Sequence, residues 1–114
     1  MDDFTLQYLN TALWSEVDDN GEPFDANYDI EDFDDSVIQQ AIEDCAAFNS
    51  MFQNDIDGNE TRAAYDLWLT RNHHGAGFWD GDWPEPLATR LTEAAHALGE
   101  RYVYVGDDGK LYID

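Results

Sequence analysis

Asp66-Leu-Trp-Leu-Thr-Arg-Asn-His-His-Gly-Ala-Gly-Phe-Trp-Asp80 holds two of the chain's four tryptophans and two apolar bursts, 67–69 and 78–79, around a polar connection. Gly75 and Gly77 allow the positive φ that a reversal between close strands requires. The pattern predicts a strand, a tight turn and a second short strand. Burial of Trp68 and Trp79 in this hairpin is expected to supply much of the core, and loss of Trp79 to unfold the domain.

Towards the N-terminus, Thr61 to Tyr65 reads as a short helical lead into the first of these strands. Asn54-Asp-Ile-Asp-Gly-Asn59 is a run of turn formers. Before it, Ile38, Ala41, Ile42, Cys45, Phe48 and Phe52 recur at three-and-four spacing, with Ser36 and Gln39 placed as a capping box. A helix over 36–53 follows. Another is expected from Asp2 or Asp3 to about Glu16, on Phe4, Leu6, Tyr8, Leu9 and Leu13, with Trp14 turned inward.

Towards the C-terminus, Gly81-Asp-Trp-Pro-Glu-Pro86 is a loop whose prolines set the start of a third helix. Leu87, Leu91, Ala94, Ala95 and Leu98 give that helix a buried face, and Gly99 suits its C′ position. Tyr102 to Val105 and Lys110 to Ile113 flank Gly106-Asp-Asp-Gly109, a hairpin signal. The expected class is α+β: a small antiparallel sheet of three or four strands covered by about three helices, in one domain over 1–114.

Charge is the unusual property. Twenty-six acidic residues face five basic ones, for a formal net charge of −21. Residues 1–61 hold 17 acids and no Lys or Arg, and the remaining nine acids against five bases leave 62–114 at about −4. Such density destabilises a compact state at low ionic strength, and salt beyond about 0.1 M relieves it. The densest part is 17–35, where Asp18, Asp19, Glu22, Asp25, Asp29, Glu31, Asp32, Asp34 and Asp35 put nine carboxylates in nineteen residues. Phe24, Tyr28, Ile30 and Phe33 recur among them, which predicts a pinned loop: aromatics held to the core, carboxylates outward.

Several function classes are disfavoured. The single cysteine, Cys45, excludes an internal disulfide and a multi-cysteine zinc site, and its apolar surroundings predict an inert thiol. No apolar run reaches the ~18 residues of a membrane span. Met1-Asp-Asp-Phe lacks the features of a signal peptide, so a cytoplasmic location is expected. Glu16 to Asn27 fails as a calcium loop because its twelfth position is Asn27 rather than a bidentate glutamate, and Asp55-Ile-Asp-Gly58 misplaces its glycine. There is no phosphate-cradling loop and no Gly-x-Ser-x-Gly nucleophile pattern. No cofactor and no metal is implied, and the chain reads as a non-enzyme.

Residues 69–80, together with Tyr8-Leu-Asn-Thr-Ala-Leu-Trp14, Asp44-Cys-Ala-Ala-Phe48, Leu91-Thr-Glu-Ala-Ala95 and Tyr104-Val-Gly-Asp-Asp-Gly-Lys-Leu-Tyr112, resemble a family of small acidic bacteriophage and prophage proteins of unassigned function. His73 stands where glycine is more usual in that pattern. The resemblance implies a phage context and little chemistry.

Charge and context together point to an acidic DNA mimic that inhibits a host defence or DNA-handling protein by occupying its nucleic-acid groove. Its phosphate surrogates are the nine carboxylates of 18–35, and Arg71 and His74 form one edge of the partner surface. Such a protein binds neither nucleic acid nor membrane directly, and acts as a monomer or homodimer. Two other readings of the acidity are a solvated surface without a partner and adaptation to high salt, since Asp outnumbers Glu 18 to 8 and lysine occurs once. A rival from another class is a small enzyme or metal-binding module in which Asp66 and Asp80 serve His73 and His74. A virion assembly protein is a third.

Overall fold

The computed structural model describes all 114 residues as four helices and one small antiparallel sheet. The helices are α1 (Asp3–Ser15), α2 (Asp35–Phe52), α3 (Glu60–Arg71) and α4 (Leu87–Ala97); the strands are β1 (Val103–Val105) and β2 (Leu111–Ile113). The class is α+β, as expected, but the sheet has two strands rather than three or four.

The difference lies in the expected hairpin: 66–71 is the C-terminal half of a helix, and 78–79 lies in a turn rather than a second strand. A three-residue apolar burst fits a period of 2 and a period of 3.6 equally well. Ala63, Ala64, Leu67, Trp68, Leu69, Thr70 and Arg71 are all buried, so α3 is covered on most sides and shows no single apolar stripe. It is the central helix. Glu60 sits in its first turn and Arg71 in its last, both favourable to the helix dipole.

α3 ends in a Schellman closure. His74 N–H donates to Leu69 O (2.9 Å) and His73 N–H to Thr70 O (3.1 Å), which places His73 at φ 57° in the left-handed position that usually takes glycine. Gly77 then passes against the helix, where a Cβ would collide with Thr70 Oγ1, the group that accepts the Phe78 N–H at 3.0 Å. Phe78 enters the core by this route, stacked on Phe48 at 5.6 Å. Trp79 turns out instead and is 53% exposed, so the tryptophans of the core are Trp68 and Trp83.

α1 lies along α3, with Tyr8 edge-on to Trp68 at 5.3 Å. Asp2 caps α1 by accepting the Thr5 N–H at 2.9 Å. Trp14 does not turn inward; it lies over Tyr65 at the surface, 40% exposed. α2 buries Val37, Ala41, Cys45, Phe48 and Phe52, and its cap is Asp34 rather than Ser36. Burial pushes the Cys45 thiol up to about 12, as an inert core cysteine requires. α4 buries Ala88, Leu91 and Ala95 and stops ahead of Gly99, at φ 83°. The hairpin has the register Val103↔Ile113, Tyr104↔Tyr112 and Val105↔Leu111. None of the helices is long and apolar enough to cross a membrane.

Candidate interaction surface

The acidic segment leaves α1 at Val17, which bridges Pro23 and closes a turn through Gly21 at φ 79°. Phe24 and Phe33, 2% and 4% exposed, anchor the segment to the core, with Tyr28 and Ile30 half-buried between them. Phe33 bridges Leu111 of β2, and Asp34 N–H donates to Leu111 O at 3.1 Å. The loop is therefore pinned at both ends, as the spacing of its aromatics predicts.

The nine carboxylates divide into two groups by their work. Four serve the backbone. Asp18 accepts from Asn20 N–H (2.8 Å) and Glu22 N–H (3.1 Å); Asp29 accepts from Glu31 N–H (2.9 Å) while Asp32 accepts from Asp29 N–H (2.8 Å). Asp34 accepts from Ser36 N–H (3.0 Å) and from the Ser36 hydroxyl, which holds its carboxyl below the usual range, with Lys110 at 3.6 Å as a lesser cause. The other five, Asp19, Glu22, Asp25, Glu31 and Asp35, are exposed, and of these only Glu22 has a side-chain partner, Asn27. Asp25, Asp29 and Glu31 share a groove of about 560 Å³ with Trp14, Tyr28 and Ile30. Asp18, Asp19 and Glu22 stand at the turn before it, and Asp34 and Asp35 at the start of α2.

Arg71 does not belong to this surface. It is 1% exposed, and its guanidinium donates to Tyr8 Oη (2.8 Å), Asp44 Oδ2 (3.0 Å), Leu98 O (2.8 Å) and Gly99 O (2.8 Å). The physical reason is its place in the last turn of a helix rather than in a hairpin loop, where it faces α1, α2 and the end of α4 at once. Burial by itself would lower its pKa, but Tyr8 and Asp44 raise it, and the site holds a charged guanidinium. The remaining bases are largely engaged: Arg62 with Asp82 (3.3 Å), Arg90 with Asp55 (3.8 Å) and Lys110 with Asp34 (3.6 Å).

His74 is likewise committed internally. Its Nε2 contacts Glu16 Oε2, which also accepts from Trp68 Nε1 at 2.9 Å. His73 points elsewhere, stacked on His96 at 4.4 Å and 3.3 Å from Glu100. The two histidines diverge, neither meets Asp66 or Asp80, and no three His, Cys, Asp or Glu side chains converge closely enough to hold a metal ion.

Asp66 and Asp80 instead share an open cleft of about 620 Å³ with Glu60, Arg62, Tyr65 and Asp82. Asp66 is 3% exposed and accepts from Trp83 Nε1 at 2.7 Å. Burial pushes its carboxyl up to about 6; the Trp83 hydrogen bond opposes this, while Asp80 and Asp82 add to it. Asp66 thus serves Trp83 rather than the histidines expected of it, and Glu16, which holds both Trp68 and His74, is the contact that the sequence does not single out. On a helix, Asp66 falls at i+3 from Ala63 and i−4 from Thr70, on a buried face, so its polarity there becomes informative.

No family model, curated protein or solved structure matches the chain, and what it does must be read from its own geometry and charge.

Proposed function

We propose that this protein is a duplex-DNA mimic: a binding protein rather than an enzyme, which occupies the nucleic-acid groove of a DNA-handling or host defence protein in the cytoplasm of a phage-infected cell. One observation carries the reading. The body is elongated, 43 × 26 × 22 Å, and bears a formal charge of −21. A 43 Å length of duplex carries about 25 phosphates, at one charge per ~1.7 Å. Charge per length is thus close to that of DNA.

Two features support it further. Four of the five bases are tied to acids, so little positive charge interrupts the outer field. The acidic segment is pinned by Phe24 and Phe33 and braced by its own carboxylates, so its display is ordered before a partner arrives and little ordering entropy is lost on binding.

The test is a pull-down from nuclease-treated bacterial lysate at moderate salt, eluted with short duplex DNA. A DNA-binding protein released by duplex, and no longer captured by the combined Asp19→Asn, Asp25→Asn, Glu31→Gln, Asp35→Asn variant, is the expected result. These four carboxylates make no side-chain hydrogen bond, so their neutralisation spares the fold. Capture of many basic proteins alike, or capture indifferent to the four changes, overturns the proposal.

A further inference from the structure

The cleft beside α3 has a property that a solvated acidic surface does not. Asp66 is almost wholly buried, yet one neutral donor, Trp83 Nε1, meets one of its oxygens. Oδ1 makes no hydrogen bond within the chain. It is not sealed in either, since the buried side-chain atoms lacking partners are Thr5 Oγ1 and Asn49 Oδ1, and Asp66 lines the cleft. An ionised carboxylate offers about four acceptor sites, and burying one with a single neutral donor is unfavourable unless it takes up a proton or, above the pH at which it ionises, a cation completes it. Arg62, the one base in the cleft, is half exposed and pairs with Asp82 instead.

We propose that this cleft is a binding site for an organic cation of the guanidinium or alkylammonium class, with Asp66 as its buried counter-charge. The volume, about 620 Å³, lies within the ~300–1,000 Å³ typical of small-ligand sites. The absence of any metal-sized cluster of ligands favours a cation whose donors are spread over several ångströms. A guanidinium or a primary amine does this: one N–H takes Asp66 Oδ1, others take the rim carboxylates Asp80 and Asp82, and the alkyl stem lies on the Tyr65 ring. Tyr65 also tilts against Trp14 at 5.2 Å, which walls the groove of Asp25, Asp29 and Glu31, so the two clefts meet at one aromatic pair. The cation can be a free polyamine or the side chain of a partner's arginine. The inference stands apart from DNA mimicry, which is tested at other residues.

The experiment follows the Trp83 indole N–H by nitrogen–proton NMR at neutral pH while spermidine, or N-acetylarginine methylamide, is added to the full chain. A saturable shift is expected that potassium chloride at equal ionic strength does not reproduce. Loss of a charge-assisted hydrogen bond predicts binding weaker by about tenfold or more in Asp66→Asn. The Asp80→Asn, Asp82→Asn pair leaves the Trp83 bond in place and weakens binding several-fold, which guards against a folding defect in Asp66→Asn. The Glu93→Gln, Asp107→Asn control, at exposed carboxylates that line neither cleft, binds as the parent does. Tighter binding of spermidine assigns the site to a free polyamine, and tighter binding of the arginine amide to a protein side chain. A shift without saturation, one matched by potassium chloride, or one unaltered in both cleft variants means generic counterions only and overturns the proposal.

Discussion

Arg71 and the carboxylates of 18–35 are charged groups treated in opposite ways by one small fold. The cation is taken inside and given four acceptors, from α1, α2 and the end of α4. The anions are kept outside, and those nearest the chain are turned onto backbone N–H groups of their own segment. A buried charge is tolerable when its hydrogen-bonding capacity is met, whereas a field of like charges is tolerable when water screens it. Asp66 falls between the two: inside like Arg71, but with one partner.

The sharpest way to break the contrast is Arg71→Met. It strands Asp44, the Tyr8 hydroxyl and two carbonyls, and is expected to cost about 3–5 kcal/mol. Against a total of roughly 5–15 kcal/mol for a domain, that leaves the variant marginal or unfolded in urea titrations followed by circular dichroism. Retention of parental stability would show that the guanidinium is not the clamp between α1, α2 and α4.

Asp66→Asn should act in the other direction. The folded carboxyl, at about 6, lies above its unfolded value of 3.8, so the protonated form is the one the fold favours. Its contribution is full below the unfolded value and is lost as pH rises through about 6. Asparagine removes that loss while keeping an acceptor for Trp83. The variant should therefore match the parent near pH 4 and exceed it by about 1–2 kcal/mol above pH 7, after allowance for water in the cleft. Urea midpoints across this range decide it, and a difference independent of pH would refute the cause given.

Smaller effects separate the two groups of acids. Changing Asp29 and Asp32 to Ala together removes the reciprocal cap of the single 3-10 turn Ile30–Asp32 and should cost about 0.5–1 kcal/mol. Neutralising Asp19, Asp25, Glu31 and Asp35 should change stability by less than about 0.5 kcal/mol at moderate salt. At low salt it should stabilise, because it removes like-charge repulsion. Thermal melts at two salt concentrations distinguish these outcomes.

Much of this architecture is legible along the chain. Helices α1, α2 and α4, the 103–113 hairpin, the buried Cys45 and the pinning of the acidic segment by Phe24 and Phe33 all follow from spacing and turn residues, because each depends on neighbours within a few positions. Tertiary structure decided the rest. Residues 66–71 join a helix rather than a strand because three apolar residues do not define a period, and packing on every side settles the matter. Tryptophan content does not say which rings are buried: Trp68 and Trp83 find Glu16 and Asp66 to accept their N–H groups inside, while Trp14 and Trp79 remain at the surface. The partners of Arg71 are 27 to 63 positions away, and a charge whose acceptors come from so far off looks like a surface charge until the chain is folded.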